Sequence, residues 1–258
     1  MTEIDNLLFR CSRLSAIMTM PREKNAELSQ TCITYLRELA REIKWGRRPE
    51  FQTKYTEKGK MVEERSLDLI SIVSRTFYKK NTERIKNQWI SGEPDTYLGK
   101  SITEATQGKD VKSSWDYRTF PFPSDKLEKS YYWQAMGYMA LTGATQWDIA
   151  FCLVNTPSGF IDDEKRKWQW RMGVIDPDVD PAFREKCKQI EREMIYDMQE
   201  FLQDNPGYLL AHEEGEWVYD VPAVERVVEF PVMRNEEEIA AIYKQVEVCR
   251  NYMRKNLL

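Results

Sequence analysis

The alternation of apolar and polar positions divides the chain into helix-like and strand-like stretches. Leu28, Cys32, Tyr35, Leu36, Leu39 and Ile43 recur at helical spacing and predict an amphipathic helix over 23–45, closed by Gly46 and Pro49. A second helix is expected over 60–80, with Met61, Leu67, Ile70, Val73, Ser74 and Phe77 on one face and Glu63 and Glu64 in its first turns. Turn signals at Gly92-Glu93-Pro94-Asp95 and Gly99 introduce short strand-like runs at 96–98, 102–105 and 109–113. Helix returns over 125–143, and the nearly continuous apolar run 147–154, ahead of Pro157, reads as a central buried strand. Beyond it, 167–174 reads as a strand, 181–204 as helix, 226–233 as a strand and 236–256 as a last amphipathic helix. Helices, then a short mixed sheet, then further helices, with no internal repeat and no Gly/Ser linker, predict one α/β domain over 1–258.

Composition narrows the chemistry. A mean hydropathy of -0.65 and the absence of any long apolar run argue against a membrane span. Acids at Glu3 and Asp5 stand where a secretory leader carries basic residues, so a cytoplasmic location is expected. Five cysteines lie too far apart for a zinc or iron–sulfur pattern and read as buried thiols. The single histidine, His212, has no nucleophile or second histidine near it and reads as a surface or cap residue. Catalysis, if there is any, must therefore run on carboxylates, lysine and a hard, oxygen-bound metal ion. Neither G-x-x-x-x-G-K-[ST] nor G-x-G-x-x-G occurs, which argues against a nucleotide cofactor. The net charge of -4 divides into +5 over residues 1–120 and -9 over 121–258, so overall acidity leaves room for a basic face in the N-terminal half.

The informative segment follows Gly59. Alternation along a strand puts Asp110 and Lys112 on one face while Val111 points to the core. With Asp95 alongside from a neighbouring strand, two carboxylates and the Val111 carbonyl offer hard ligands to Mg²⁺, a set suited to phosphodiester hydrolysis with Lys112 at the attacking water. Glu104 competes with Asp110 for this place but has no lysine two positions on.

Asp95 after Gly-Glu-Pro, followed by Asp110-Val111-Lys112, resembles the core of the PD-(D/E)XK nuclease superfamily. Gly59-Lys60-Met61-Val62-Glu63 resembles the G-x-x-x-E element of the lambda-exonuclease and YqaJ-type viral recombinases, and Tyr132 to Met139 resembles their following Tyr/Gln helix. The likeness covers about residues 10–157. It implies a restriction-endonuclease-like core, a small mixed central sheet flanked by helices, which residues 158–258 complete. It also implies a Mg²⁺-dependent DNA exonuclease (Mn²⁺ as a substitute), 5′→3′ on duplex ends, in phage-type recombination. Asp95, Asp110, Val111 and Glu63 would serve the metal, with Glu64 the alternative to Glu63. Lys112 would stand at the water, and Gln134 and Tyr138 beside the site. The basic, hydroxyl-rich stretch Arg10, Ser12, Arg13 and Ser15 resembles the segment that engages DNA phosphates, a helix cap being the other reading of Ser12. A single-strand annealing protein and a ring-shaped homo-oligomer are the implied partners. A restriction-like endonuclease and a non-catalytic DNA-binding or phage assembly module are the alternatives. Trp115, Trp133, Trp147, Trp168 and Trp170 are expected in the core or at subunit contacts.

Overall fold

A computed structural model describes residues 4–48, 53–213 and 215–258; Pro49 and the first three residues lie outside these. In chain order the elements are β1 (Phe9–Arg10), α1 (Leu14–Met18), α2 (Gln30–Trp45), α3 (Lys54–Met61), α4 (Glu63–Ser74), β2 (Lys79–Lys80), β3 (Ile85–Lys86), β4 (Ile90–Gly92), β5 (Thr96–Gly99) and β6 (Ala105–Ser113). They continue with α5 (Lys129–Thr142), β7 (Gln146–Cys152), α6 (Ser158–Met172), α7 (Pro181–Met194), α8 (Met198–Asp204), β8 (Val227–Phe230) and α9 (Glu236–Asn256). The protein is a mixed α/β structure in which helices flank two mixed sheets, one of three strands in the order β1-β4-β3 and one of five in the order β2-β5-β6-β7-β8.

The long β6 organises the larger sheet. It forms an antiparallel hairpin with β5 and runs parallel to β7, with α5 as the crossover between them. Alternation then sorts its side chains. Asp110 and Lys112 face α5, while Val111 joins Val62, Leu69 and Ile70 of the α4 side in a separate apolar cluster. The largest core lies on the α5 face, where Met136, Met139, Trp147 and Ile149 meet α1, α2 and α9. Gly108 permits this packing, because a Cβ there would lie 2.3 Å from the Trp147 ring opposite it.

The chain departs from the periodicity in several places. The first helix starts at Gln30, because the Ser29 hydroxyl accepts the Cys32 N–H and caps it there; 23–29 is turn. The expected helix over 60–80 is two helices, broken at Val62 and ended by Arg75 in the left-handed region (φ 52°). Its buried face is Val62, Leu69 and Ile70, leaving Met61 and Phe77 exposed. Residues 102–104 form a 3-10 turn instead of a strand, α5 begins at Lys129, and 181–204 is interrupted between α7 and α8. Residues 167–174 are not a strand: the stretch is mostly the end of α6, whose Ile161 is fully buried while Trp170 points to solvent. Trp170 is therefore no core residue. His212 is buried, with Nδ1 2.7 Å from Glu191 Oε2 and Nε2 accepting from Arg192 at 3.1 Å. The described cysteines are all free and buried. Among the described residues no helix is long and apolar enough to cross a membrane.

One buried charge ties α3 to the sheet. Lys58, fully buried, donates from Nζ to the carbonyls of Ser114 (2.7 Å), Trp115 (2.8 Å) and Val154 (3.4 Å), just beyond the ends of β6 and β7. Burial pulls its ammonium down to about 7, against the attraction of Asp116. Lys58→Met leaves those carbonyls without this donor. It should lower the unfolding free energy in urea by about 2–5 kcal/mol, whereas Lys60→Met at the exposed end of α3 should change it by less than about 1 kcal/mol.

Candidate active site

Asp95 reaches β6 through a single backbone contact. Pairing of β5 with β6 stops at Thr96 opposite Lys109, so the edge of β6 beyond that point is open. Asp95 Oδ2 fills the gap and accepts the Val111 N–H at 2.7 Å. The Val111 carbonyl leaves the strand on the same side as that N–H. Asn81 fixes the turn that carries Asp95: its N–H donates to the Asp95 carbonyl at 2.8 Å and its amide Nδ2 to the Pro94 carbonyl at 2.9 Å. The sequence had not singled out Asn81.

Asp110 is almost completely buried. Gln134 Nε2 on α5 donates to its Oδ1 at 3.2 Å and lies 2.8 Å from the Tyr138 hydroxyl, one turn further on. The other oxygen, Oδ2, lies 2.6 Å from Lys112 Nζ in a close ion pair and has no second donor. Burial and the neighbouring Asp110 charge push the Asp95 carboxyl up to about 8, against the opposing pull of Lys112 and the Val111 N–H. Burial alone would lower the Lys112 ammonium, but the two carboxylates hold it above its ordinary value. The pair of acids is therefore short of positive charge.

A cavity of about 710 Å³ opens over this floor, and Glu63, Asp95, Asp110, Val111, Lys112, Gln134 and Tyr138 all line it. Glu63, the first residue of α4, is ion-paired with Lys80 at 3.1 Å; Glu64 also contacts Lys80 but points outward. Glu104 is exposed in the turn before β6 and does not line the cavity. The N-terminal four divide. Arg10 and Ser12 line this cavity, because β1 pairs with β4, the strand that leads to Asp95. Ser12 also borders a neighbouring cavity of about 970 Å³, where Arg13 and Ser15 lie. Arg13 is held by Glu38 at 3.1 Å and lies over the Tyr35 ring. Ser12 lies inside a short 3-10 turn, Cys11–Arg13, whose N-cap is Arg10, and the N-cap of α1 is Arg13, so Ser12 is not an N-cap. Arg48, Lys60 and Arg84 complete the rim; in sequence they were indistinguishable from other surface cations.

Among the described residues no three Asp, Glu, His or Cys side chains form a ready-made cage. The donor set nevertheless fits a cation that keeps several waters: two close carboxylates, one with a buried oxygen that meets only Lys112, and a carbonyl at an open strand edge. Glu63 lines the same cavity, paired with Lys80.

The chain matches no family model and no curated protein. Among solved structures it is similar to a phage-related exonuclease from Haemophilus somnus 129PT. That likeness has 26% identity and a TM-score of 0.67, and covers 97% of this chain and 95% of the other. The fold is also that of an alkaline exonuclease from Laribacter hongkongensis (13% identity, TM-score 0.54, 97% and 89% covered), and of the same enzyme in complex with dAMP (14% identity, TM-score 0.54, the same coverage).

The crowded carboxylates carry a stability signature. The folded protein binds more protons than the unfolded chain between about pH 4 and 8, so the Asp95 contribution is present at low pH and lost as pH rises through that window. In EDTA, Asp95→Asn should therefore be more stable than the wild type at pH 8, by on the order of 1–3 kcal/mol in urea, and this advantage should shrink steadily as pH falls toward 4. A less stable variant at pH 8 would contradict this electrostatic account.

Proposed function

We propose that the protein is a metal-dependent DNA exonuclease of the PD-(D/E)XK type that hydrolyses phosphodiester bonds from the ends of linear duplex DNA in the 5′→3′ direction. The observation that carries this reading is the meeting of Asp95, Asp110 and Lys112 at one cavity floor, beside Gln134. The near full-length similarity to a phage-related exonuclease supports it.

Asp95, Asp110 and the Val111 carbonyl would hold Mg²⁺ or Mn²⁺, with Glu63 in the outer shell. When bound, such an ion supplies charge neutralisation at the scissile phosphate and lowers the pKa of water there. The protein's own groups do the rest. Lys112 orients the attacking water and offsets developing negative charge, and Gln134 fixes the orientation of Asp110 through Oδ1. Tyr138, its phenol held well above the ordinary value by burial and by Asp110, keeps its proton and anchors Gln134. Arg10 and Ser12 stand where a terminal phosphate can be held by charge-assisted hydrogen bonds.

Asp95→Asn and Asp110→Asn should each reduce Mg²⁺-dependent nucleotide release from linear duplex DNA by at least about a thousandfold. Incubation with 5′-phosphorylated linear, 5′-hydroxyl linear and closed circular DNA, in Mg²⁺ or EDTA, tests the mode of action. Release from linear ends only, and only with metal, is expected; nicking of circles would favour an endonuclease. Arg10→Ala and Ser12→Ala should diminish discrimination between 5′-phosphate and 5′-hydroxyl ends, while Arg13→Ala, on the neighbouring cavity, should leave it close to wild type. The ratio of initial rates on the two ends reads this directly.

A further inference from the structure

We propose that Tyr131 is a positioning residue for Lys112, holding its ammonium by the face of its ring. This inference rests on the nuclease reading of the same site.

Lys112 has four rotatable side-chain bonds and a strong preference for water, so an ammonium that must stay at one point above the floor needs partners on more than one side. Asp110 is one partner, at 2.6 Å on one side of the ammonium. The second partner is the Tyr131 ring, whose centroid lies 5.2 Å from Nζ, within cation–π range. The ring is itself held. It meets Phe151 edge to face at 5.6 Å, and Phe151 stands directly opposite Lys112 in the β6–β7 register. Tyr131 and Phe151 thus make an aromatic corner around the lysine, and both line the cavity. Tyr131 precedes Gln134 by one turn of α5, so a single helix face orients both functional side chains of β6: Gln134 takes Asp110 and Tyr131 takes Lys112. The next residue, Tyr132, turns away to donate its hydroxyl to Glu238 of α9.

The working part of Tyr131 is its ring, not its hydroxyl, and that separates this role from a substrate contact. The test compares wild type, Tyr131→Leu, Tyr131→Phe and Lys112→Ala on 5′-phosphorylated linear duplex DNA with Mg²⁺, with thermal unfolding followed by circular dichroism. Tyr131→Leu should lose on the order of 10–100-fold in kcat with KM within about twofold, and Tyr131→Phe should restore most of that loss. Should Tyr131→Leu fail to fold, Tyr131→Met, similar in reach and lacking a π face, takes its place. A wild-type kcat in the folded leucine or methionine variant overturns the proposal. So does a phenylalanine variant as impaired as the leucine one, or a change confined to KM, since either would make Tyr131 a DNA contact. Failure of the nuclease reading looks different: wild type then releases no nucleotides, or Lys112→Ala is as active as wild type.

Discussion

The 2.7 Å hydrogen bond from the Val111 N–H to Asp95 sets the geometry of the whole site. Val111 lies between Asp110 and Lys112 in the chain, so one backbone donor brings a carboxylate from a different segment beside both. Electrostatics oppose the arrangement, because a buried and a half-buried carboxylate repel and lose hydration together. Lys112 compensates part of that cost from the same strand. The rest is borne by packing, with α4 beneath β6 and α5 above it, and by Asn81, which leaves the Asp95 turn little freedom to move away.

Much of this was legible in the sequence, where local rules and tertiary structure agree. The pattern around 109–113 lies within β6, the apolar run after Trp147 is a buried strand, and 236–256 is helix over its full length. Asp110 and Lys112 share a face because strands alternate, a property that needs no neighbours to be inferred. The failures have tertiary or capping causes. Helical spacing at Leu28 was cut short by the Ser29 cap, and 167–174 was misread because Trp168 and Trp170 mimic a strand's alternation although only one turns inward. His212 looked like a surface residue because its partner, Glu191, is far off in sequence.

Within the site, residue types and their order could be read, but partnerships could not. Arg10, Ser12, Arg13 and Ser15 form one basic stretch in sequence, yet its two halves face different cavities. The rim cations carry their own counter-charges: Arg10 has Glu42 at 3.3 Å and Arg84 has Glu93 at 2.8 Å. A polyanion entering the cavity would exchange with these carboxylates, and so gain less than a count of positive charges suggests.

The close approach of Trp147 to Gly108 has a mechanical meaning. The Tyr138 ring lies 5.4 Å from the indole, and from Tyr138 the contacts run through Gln134 to Asp110, two residues along from where they began. This is a closed circuit that leaves β6 and returns to it, so a displacement at either end arrives at the acid by two routes, along the backbone and through the packed side chains. A methyl group added at Gly108 would lie outside the cavity lining, yet it would shim the indole outward and throw the acid out of true from behind.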